Sequence, residues 1–370
     1  VHALPPLPRS ALLLTNQLTT GGAEIYVLTM SRWLAEHGVR TVVAATPGEL
    51  VDRLDPKVCY YPTELQDLRL SIPLAVARVR RILRAHQPEV IVANSLVTAW
   101  VARLAALPSR TPIVAVAHGW AAERYRLISA PLAVADRVVP VSQEVARRLT
   151  SAGLPASKVQ VIANGVDLSP FGPRTPSQRQ AARDTLGATD DDVVVTSVGR
   201  FVEQKQQHRI VEIAARLRDE LPELKFAIIG WGPLEGALRA QIDRAGLNDT
   251  VRLLLRRTDV PDLLLASDLY LCTSDWEGMP LSMIEAMAAG LPIVSTDVEG
   301  MSALVRPENG LLCAPTDLPG LTAAVRLLGA DEVGRLHRGS HSRALAEREF
   351  SKEVMCRRLG ALLGELAGAR

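Results

Sequence analysis

Lysine is nearly missing. The 370-residue chain has only Lys57, Lys158, Lys205, Lys225 and Lys352, so a lysine inside a motif is seldom there by chance. Cysteine is almost as scarce, and Cys59, Cys272, Cys313 and Cys356 stand far apart. That spacing fits neither a metal site nor a disulfide framework, so reduced, packed thiols of a cytosolic protein are expected. No apolar run reaches the length of a bilayer span. No signal-peptide pattern is present, and whether a leader was removed before Val1 stays open. Charge of one sign is lacking too: 42 Lys and Arg against 40 Asp and Glu leave +2, which excludes a strong field for nucleic acid or another polyanion. Repeats and low-complexity tracts are absent. What remains is an ordinary globular composition, 48% hydrophobic and 22% charged, long enough for two domains with a core each.

Short apolar runs alternate with helix-length segments through the whole chain. In the first half ALLLT (11–15), TVVAAT (41–46), VCYY (58–61), EVIVAN (89–94), PIVAVAH (112–118), RVVPVS (137–142) and KVQVIAN (158–164) read as strands. In the second half DVVVTSVG (192–199), KFAIIG (225–230), TVRLLL (250–255), DLYLCT (268–273), PIVST (292–296) and GLLCA (310–314) do the same. Continuous apolar strands separated by helices predict parallel sheets covered on both faces, with ligands at the carboxyl ends of the strands. The Pro-, Gly- and Ser-rich stretch from Asn164 to Gln178 reads as the linker between the two halves.

The stretch EGMPLSMIEAMAAGLPIVST, Glu277 to Thr296, carries the strongest chemical signal. Gly278 frees the backbone, and Pro280 suits the first helical position. From Leu281 to Ala289 the helix is apolar except for Ser282 and Glu285, so it should be buried and its carboxylate should need a partner. The pattern places free N–H groups at a helix start, Glu277 at the lip and Glu285 inside. Such N–H groups suit a phosphate and carboxylates suit sugar hydroxyls, which together read as a nucleotide-sugar site. The plain alternatives are a solvated cap at Glu277 and, at Glu285, a structural carboxylate paired with an arginine.

Two glutamates followed by the EAMA-x-G-x-P run resemble the donor-site signature of the retaining glycosyltransferases of family 4. The resemblance covers most of the chain, and its specific motifs lie between Gly199 and Pro292. It implies an α/β fold of two Rossmann-like domains facing across a cleft (GT-B). The expected division is 1–172 for the acceptor-side domain, 173–350 for the donor-side domain, and a helix over 351–370 that crosses back. It also implies transfer of a sugar from a nucleotide diphosphate donor, UDP-glucose or UDP-N-acetylglucosamine by family frequency, with retention of configuration. The acceptor would be a hydroxyl of a glycan, a lipid-linked glycan or a small metabolite.

Other loops then take expected roles. After DVVVTSVG, Gly199 leads to Arg200 and Lys205, two fixed cations suited to a leaving pyrophosphate without a metal. Gly230 opens a turn like the family's glycine turn; its half-match to a dinucleotide fingerprint has the third glycine misplaced. The loop holding Arg256, Arg257 and Thr258 stands where the family reads the base, usually around a glycine, and donor contact is assigned to Arg257 and Thr258. Donor-side contacts are likewise expected from Gly278, Met279, Pro280 and Leu281, with Glu277 on the sugar and Glu285 on the ribose. In the first half, Gly21 and Gly22 resemble the family's GGAE turn, though a glycine pair is also a plain tight turn. His118 ends a strand where the family places a sugar-contacting histidine, and a satisfied structural histidine is the plain alternative. Asn16, Thr20, Asn94 and Trp120 are candidates for lining the acceptor.

Catalytic roles thus fall to His118, Arg200, Lys205 and Glu277. No cofactor is expected, and no metal, because Asp190-Asp191-Asp192 precedes a strand and reads as a solvated turn. No nucleic-acid partner is expected, and the oligomeric state is open. The segment 73–86 is an amphipathic helix rich in arginine. It fits an ordinary surface helix or a weak dock on the inner face of a membrane. Two rival activities share the architecture: a sugar-nucleotide epimerase, which needs an acid/base pair not visible here, and a non-catalytic sugar-nucleotide binder.

Overall fold

The computed structural model describes residues 6–19, 21–65 and 72–368. It divides into two compact units, Val1–Asn164 with Lys352–Arg370, and Gly165–Ser351.

The first unit holds a parallel sheet of β1 (Ser10–Gln17), β2 (Arg40–Thr46), β3 (Cys59–Pro62), β4 (Val90–Ala93), β5 (Ile113–Ala117) and β6 (Arg137–Pro140), in the order β3-β2-β1-β4-β5-β6. Its helices are α1 (Gly22–Glu36), α2 (Ile72–His86), α3 (Leu96–Ala106), α4 (Tyr125–Leu132) and α5 (Gln143–Ser151). The strands read as unbroken apolar runs because both faces are covered: Leu12, Leu14, Ile91, Ala93 and Ala115 are buried under Val79 and Ile82 of α2 and Ala102 and Ala105 of α3.

The second unit repeats the plan. Its strands β7 (Val193–Val198), β8 (Leu224–Gly230), β9 (Val251–Leu255), β10 (Leu269–Cys272), β11 (Ile293–Thr296) and β12 (Gly310–Cys313) lie in the order β12-β11-β10-β7-β8-β9. Its helices are α6 (Pro176–Leu186), α7 (His208–Leu217), α8 (Glu235–Ala245), α9 (Val260–Leu265), α10 (Leu281–Ala288), α11 (Met301–Leu304), α12 (Leu318–Ala330) and α13 (Glu332–Glu349). Each sheet is therefore a Rossmann-like α/β layer whose strand order reverses at one point, between β1 and β4 in the first and between β7 and β10 in the second.

The last helix, α14 (Lys352–Gly368), belongs to the first unit and packs against α1 and β4. A glycine face makes this possible: a Cβ on Gly364 would lie 1.8 Å from the Pro6 carbonyl oxygen. The segment after Asn164 belongs instead to the second unit, because Val166 bridges Ser351 and Arg343 Nη1 donates to the Phe171 carbonyl at 2.9 Å.

Some sequence expectations need correction. KVQVIAN is not a strand; it touches β6 through the single bridge Val138–Val159. Gln160 and Ile162 donate to the carbonyls of Val138 and Pro140, but Pro140 has no N–H to return, so no ladder forms. Pro280 sits at the N-cap of α10 in an extended conformation, not at the first helical position. The four cysteines are free, yet Cys59 is exposed where packing was expected.

Candidate functional site

Most of the polar residues singled out by the sequence collect near the two points where strand order reverses; Arg257 and Thr258 do not, because their loop follows the edge strand β9. In the second unit the loops leaving β7 and β10 meet. The β7 loop is fixed from below by β8: Phe201 N–H donates to Trp231 O at 2.8 Å, and Gln207 Nε2 donates to Arg200 O at 2.8 Å. Gly230 has no alternative, because a Cβ there would stand 1.9 Å from the Gly199 carbonyl oxygen. The loop then makes a short 3₁₀ turn, Glu203–Lys205. Thr273 Oγ1, at the end of β10, donates to the Lys205 carbonyl at 3.0 Å and ties the two loops together.

Lys205 reaches across this junction and forms an ion pair with Glu277 Oε1. Ser274 Oγ donates to the same oxygen at 2.7 Å, and Thr296 Oγ1 holds the Ser274 carbonyl at 2.6 Å. Burial alone would lower the Lys205 pKa, but the Glu277 carboxylate outweighs it and holds the ammonium above its usual range. Arg200 is exposed beside it and makes no ion pair among the described residues. A small cavity next to the pair is lined by Lys205, Gln207, Tyr270, Pro280 and Ser282, and the Gln207 side-chain oxygen is buried without a partner among the described residues.

The two glutamates have exchanged the environments expected of them. Glu277 is the buried one, its side chain 7% exposed. Glu285, on α10, is half-buried and has no hydrogen bond or ion pair among the described residues. Burial pushes its carboxyl up to about 7. It is therefore not a structural carboxylate paired with an arginine. Gly278, Met279 and Pro280 are buried beside it, and no side chain caps the start of α10 at Leu281.

The loop after β9 behaves differently from the expectation. Arg257 is turned into a local, exposed pair with Asp259 at 2.5 Å, and Thr258 is exposed. Arg256 instead lies over the Trp231 ring, 4.6 Å from its centroid, at φ 48°. A left-handed arginine costs roughly 1–2 kcal/mol, which stacking on the indole helps offset. Sequence reasoning missed this platform, along with Ser274 and Gln207.

In the first unit the loops after β1, β4 and β5 converge. Asn94 Nδ2 donates to the Ala23 carbonyl at 2.8 Å, which leaves Oδ1 to face His118 Nε2 at 2.7 Å. A carbonyl can only accept, so the amide orientation is fixed and His118 Nε2 must carry the proton. Burial lowers the His118 pKa to about 4, so the ring is neutral at pH 7 and keeps the Nδ1 lone pair. Tyr26 meets it edge-on with centroids 5.3 Å apart, and Gly119 follows at φ 97° to turn the chain. Asn16 Oδ1 accepts from Ser95 Oγ at 2.8 Å, while Gly21 is the N-cap of α1 and Gly22 its first residue. Trp120 is half-buried against the Tyr125 ring. Thr20 lies outside the described residues.

A pH dependence follows from His118. Its folded pKa is depressed from 6.5 to about 4, so the stability it contributes is present above about 6.5 and lost as pH falls through 4. Denaturant titrations over that window should show a loss of up to roughly 3 kcal/mol, reduced by the ring's partial exposure. The loss should be absent in His118→Asn, and an unchanged slope in that variant would refute the assignment.

Among the described residues no group of three or more His, Cys, Asp or Glu is placed to hold a metal ion. Asp192 Oδ2 instead accepts from Thr189 N–H and Oγ1, at 2.7 and 2.8 Å, as a turn residue does.

Two family models match the chain: "Glycosyl transferases group 1" over residues 178–345 and "Glycosyltransferase Family 4" over residues 20–170. The chain is 31% identical to WcaL of Escherichia coli strain K12, over 62% of this chain and 57% of that protein, so it spans little more than half of that relative's length. It is 28% identical to an Escherichia coli protein named UDP-Gal:alpha-D-GlcNAc-diphosphoundecaprenol alpha-1,3-galactosyltransferase, over 79% of this chain and 80% of that one. Among solved structures, Anabaena HepE in complex with UDP-glucose superposes with a TM-score of 0.85 at 25% identity, covering 96% of this chain and 99% of that one.

Proposed function

The chain belongs to glycosyltransferase family 4, and from that premise we propose that it transfers a hexosyl group, with retention, from a nucleotide diphosphate sugar to an acceptor hydroxyl. The carrying observation is the second unit's switch point. There two cations and two carboxylates gather on the loops and helix that follow β7 and β10, and of these Arg200 and Glu285 have no side-chain partner among the described residues.

Arg200 and Lys205 neutralise the diphosphate as the sugar departs, aided by the free N–H groups at the start of α10. Glu277 keeps its Oε2 for the sugar hydroxyls while Oε1 is held by Lys205 and Ser274. Glu285 takes the ribose hydroxyls. In the first unit, neutral His118 offers Nδ1 to a sugar hydroxyl with its tautomer fixed by Asn94, and Asn16 and Trp120 line the acceptor side. The leaving phosphate takes the acceptor's proton on the face it leaves, so no protein nucleophile is required. Isolation of a covalent glycosyl-enzyme would refute that step.

UDP-glucose or UDP-N-acetylglucosamine is proposed as donor, supported by the UDP-glucose complex of HepE. A glycan, lipid-linked glycan or small metabolite is the acceptor class, and a cytoplasmic placement with weak contact at the inner membrane face belongs to the same reading. Among the described residues no helix is long and apolar enough to cross a membrane.

The test is a thermal-shift panel of UDP, GDP, ADP and their hexose conjugates without added metal. A hundredfold excess over Kd adds about 2.7 kcal/mol of stability, which is readily seen. A shift with one base, followed by hexose release only when an acceptor is added, is the expected result. Turnover of the donor sugar with no acceptor would indicate an epimerase instead, and the absence of any shift would overturn the donor reading.

A further inference from the structure

The outer side of α3 is unlike that of a surface helix. Its inner positions Ala99, Ala102, Ala105 and Ala106 are buried against the sheet, as expected. Its outward stripe should then be polar, yet it reads Trp100, Leu104 and Leu107, exposed at 44%, 37% and 61%. Positions i, i+4 and i+7 fall within about 60° of one another around a helix, so the three side chains form one ridge.

The neighbouring helix supplies the charge. α2 packs against α3, and Arg80 Nη2 donates to the Leu104 carbonyl at 3.0 Å. The outward stripe of α2 begins with Leu74, half exposed, and continues through the exposed Arg78 and Arg81 at the same helical spacing. From Ile72 to Arg126 the chain has eight arginines and two acids, Glu89 and Glu123. Glu89 is engaged by Arg9, and among the described residues neither acid forms an ion pair with Arg78 or Arg81.

We propose that this face, the α3 ridge beside the arginine stripe of α2, docks on an anionic lipid bilayer. The composition selects that occupant. An apolar ridge carrying a tryptophan suits the headgroup boundary, and arginines with no ion-pair partner among the described residues suit an anionic leaflet. A soluble polyanion would use the arginines and leave the ridge in water. A second copy meeting this face symmetrically would bring arginine stripes together without acids to answer them. The docking rests on the proposed peripheral placement and not on the transfer reaction.

The test is sedimentation of the full chain with vesicles of phosphatidylcholine alone or of phosphatidylcholine and phosphatidylglycerol in equal parts. Wild type is expected to bind the anionic vesicles and to be released by salt. Trp100→Ser/Leu104→Ser/Leu107→Ser should weaken partitioning by at least about tenfold. Arg78→Gln/Arg81→Gln should weaken it by about fivefold per charge and leave neutral vesicles unaffected. All substituted positions are exposed or nearly so, and unchanged melting temperatures would confirm that the variants fold. Equal binding to both vesicle types, no binding by wild type, or variants that bind like wild type would overturn the proposal. So would self-association that the serine variant abolishes, since that assigns the face to a second copy. A wild type that shifts with no nucleotide yet binds anionic vesicles would refute the transferase reading and leave this one standing.

Discussion

Glu285→Gln is expected to abolish measurable donor binding and, at the same time, to make the protein more stable at pH 8. The two effects have one cause. Glu285 is a half-buried carboxyl with no partner among the described residues, and burial raises its pKa from 4.5 to about 7. A carboxyl raised in the folded state contributes stability that is fully present below about 4.5 and is lost as pH rises through 7. Above that window the ionised side chain costs about 3 kcal/mol at 1.36 kcal/mol per unit, and partial exposure brings this down to roughly 1–3 kcal/mol. Glutamine has the same shape and no charge, so it removes the penalty near pH 8 and changes little near pH 4.

The loss of binding follows from what glutamine cannot do. A carboxylate accepts from two ribose hydroxyls in charge-assisted bonds, each contributing about 1.5–3 kcal/mol. Their loss weakens donor binding by roughly tenfold to a hundredfold per bond. Melting curves at both pH values, with and without nucleotide, read both effects together. A glutamine variant that is less stable than wild type at pH 8 would show that Glu285 is structural after all.

Much of this arrangement could be read in the sequence because burial on both faces leaves a plain signature. Runs such as ALLLT and EVIVAN have no polar interruption, and each ends in the polar residues that the structure gathers at a strand's carboxyl end. The depth of each carboxylate was not legible. Glu277 is buried because Lys205 lies 72 positions away in the chain and reaches back to it. Glu285 is half-open because α10 turns that side away from the core. Neither follows from the apolar pattern of EGMPLSMIEAM. KVQVIAN has a strand's composition, but its neighbour β6 ends in Pro140, and a ladder needs donors from both partners. The Arg256–Trp231 stack joins loops from β8 and β9, and no local motif announces it. Asn94 stands at a strand end where an acceptor contact is expected, but its amide is committed to Ala23 and His118, so its first effect is to fix the imidazole tautomer.

Lys205 and Glu277 allow a sharper division between what holds the fold and what the chemistry needs. Lys205→Ala is expected to lower the transfer rate by about a hundredfold to a thousandfold, the usual loss when a preorganised charge at a developing anion is removed. It should also destabilise the protein, because Glu277 is 7% exposed and would be left with Ser274 as its remaining donor. Breaking one side of a buried pair costs roughly 3–5 kcal/mol, and the 18% exposure of Lys205 places this one toward or below the lower end.

Lys205→Met/Glu277→Gln removes both charges together. No buried charge is then left uncompensated, so stability should return to within about 1 kcal/mol of wild type. The rate should not return, because the diphosphate still lacks its cation and the sugar its carboxylate. Arg200→Ala completes the comparison: exposed and without an ion pair among the described residues, it should slow transfer while leaving the melting temperature unchanged. A double variant that regained its rate along with its stability would show that the pair only braces the two loops, and the diphosphate's countercharge would then have to be sought in Arg200 and the start of α10.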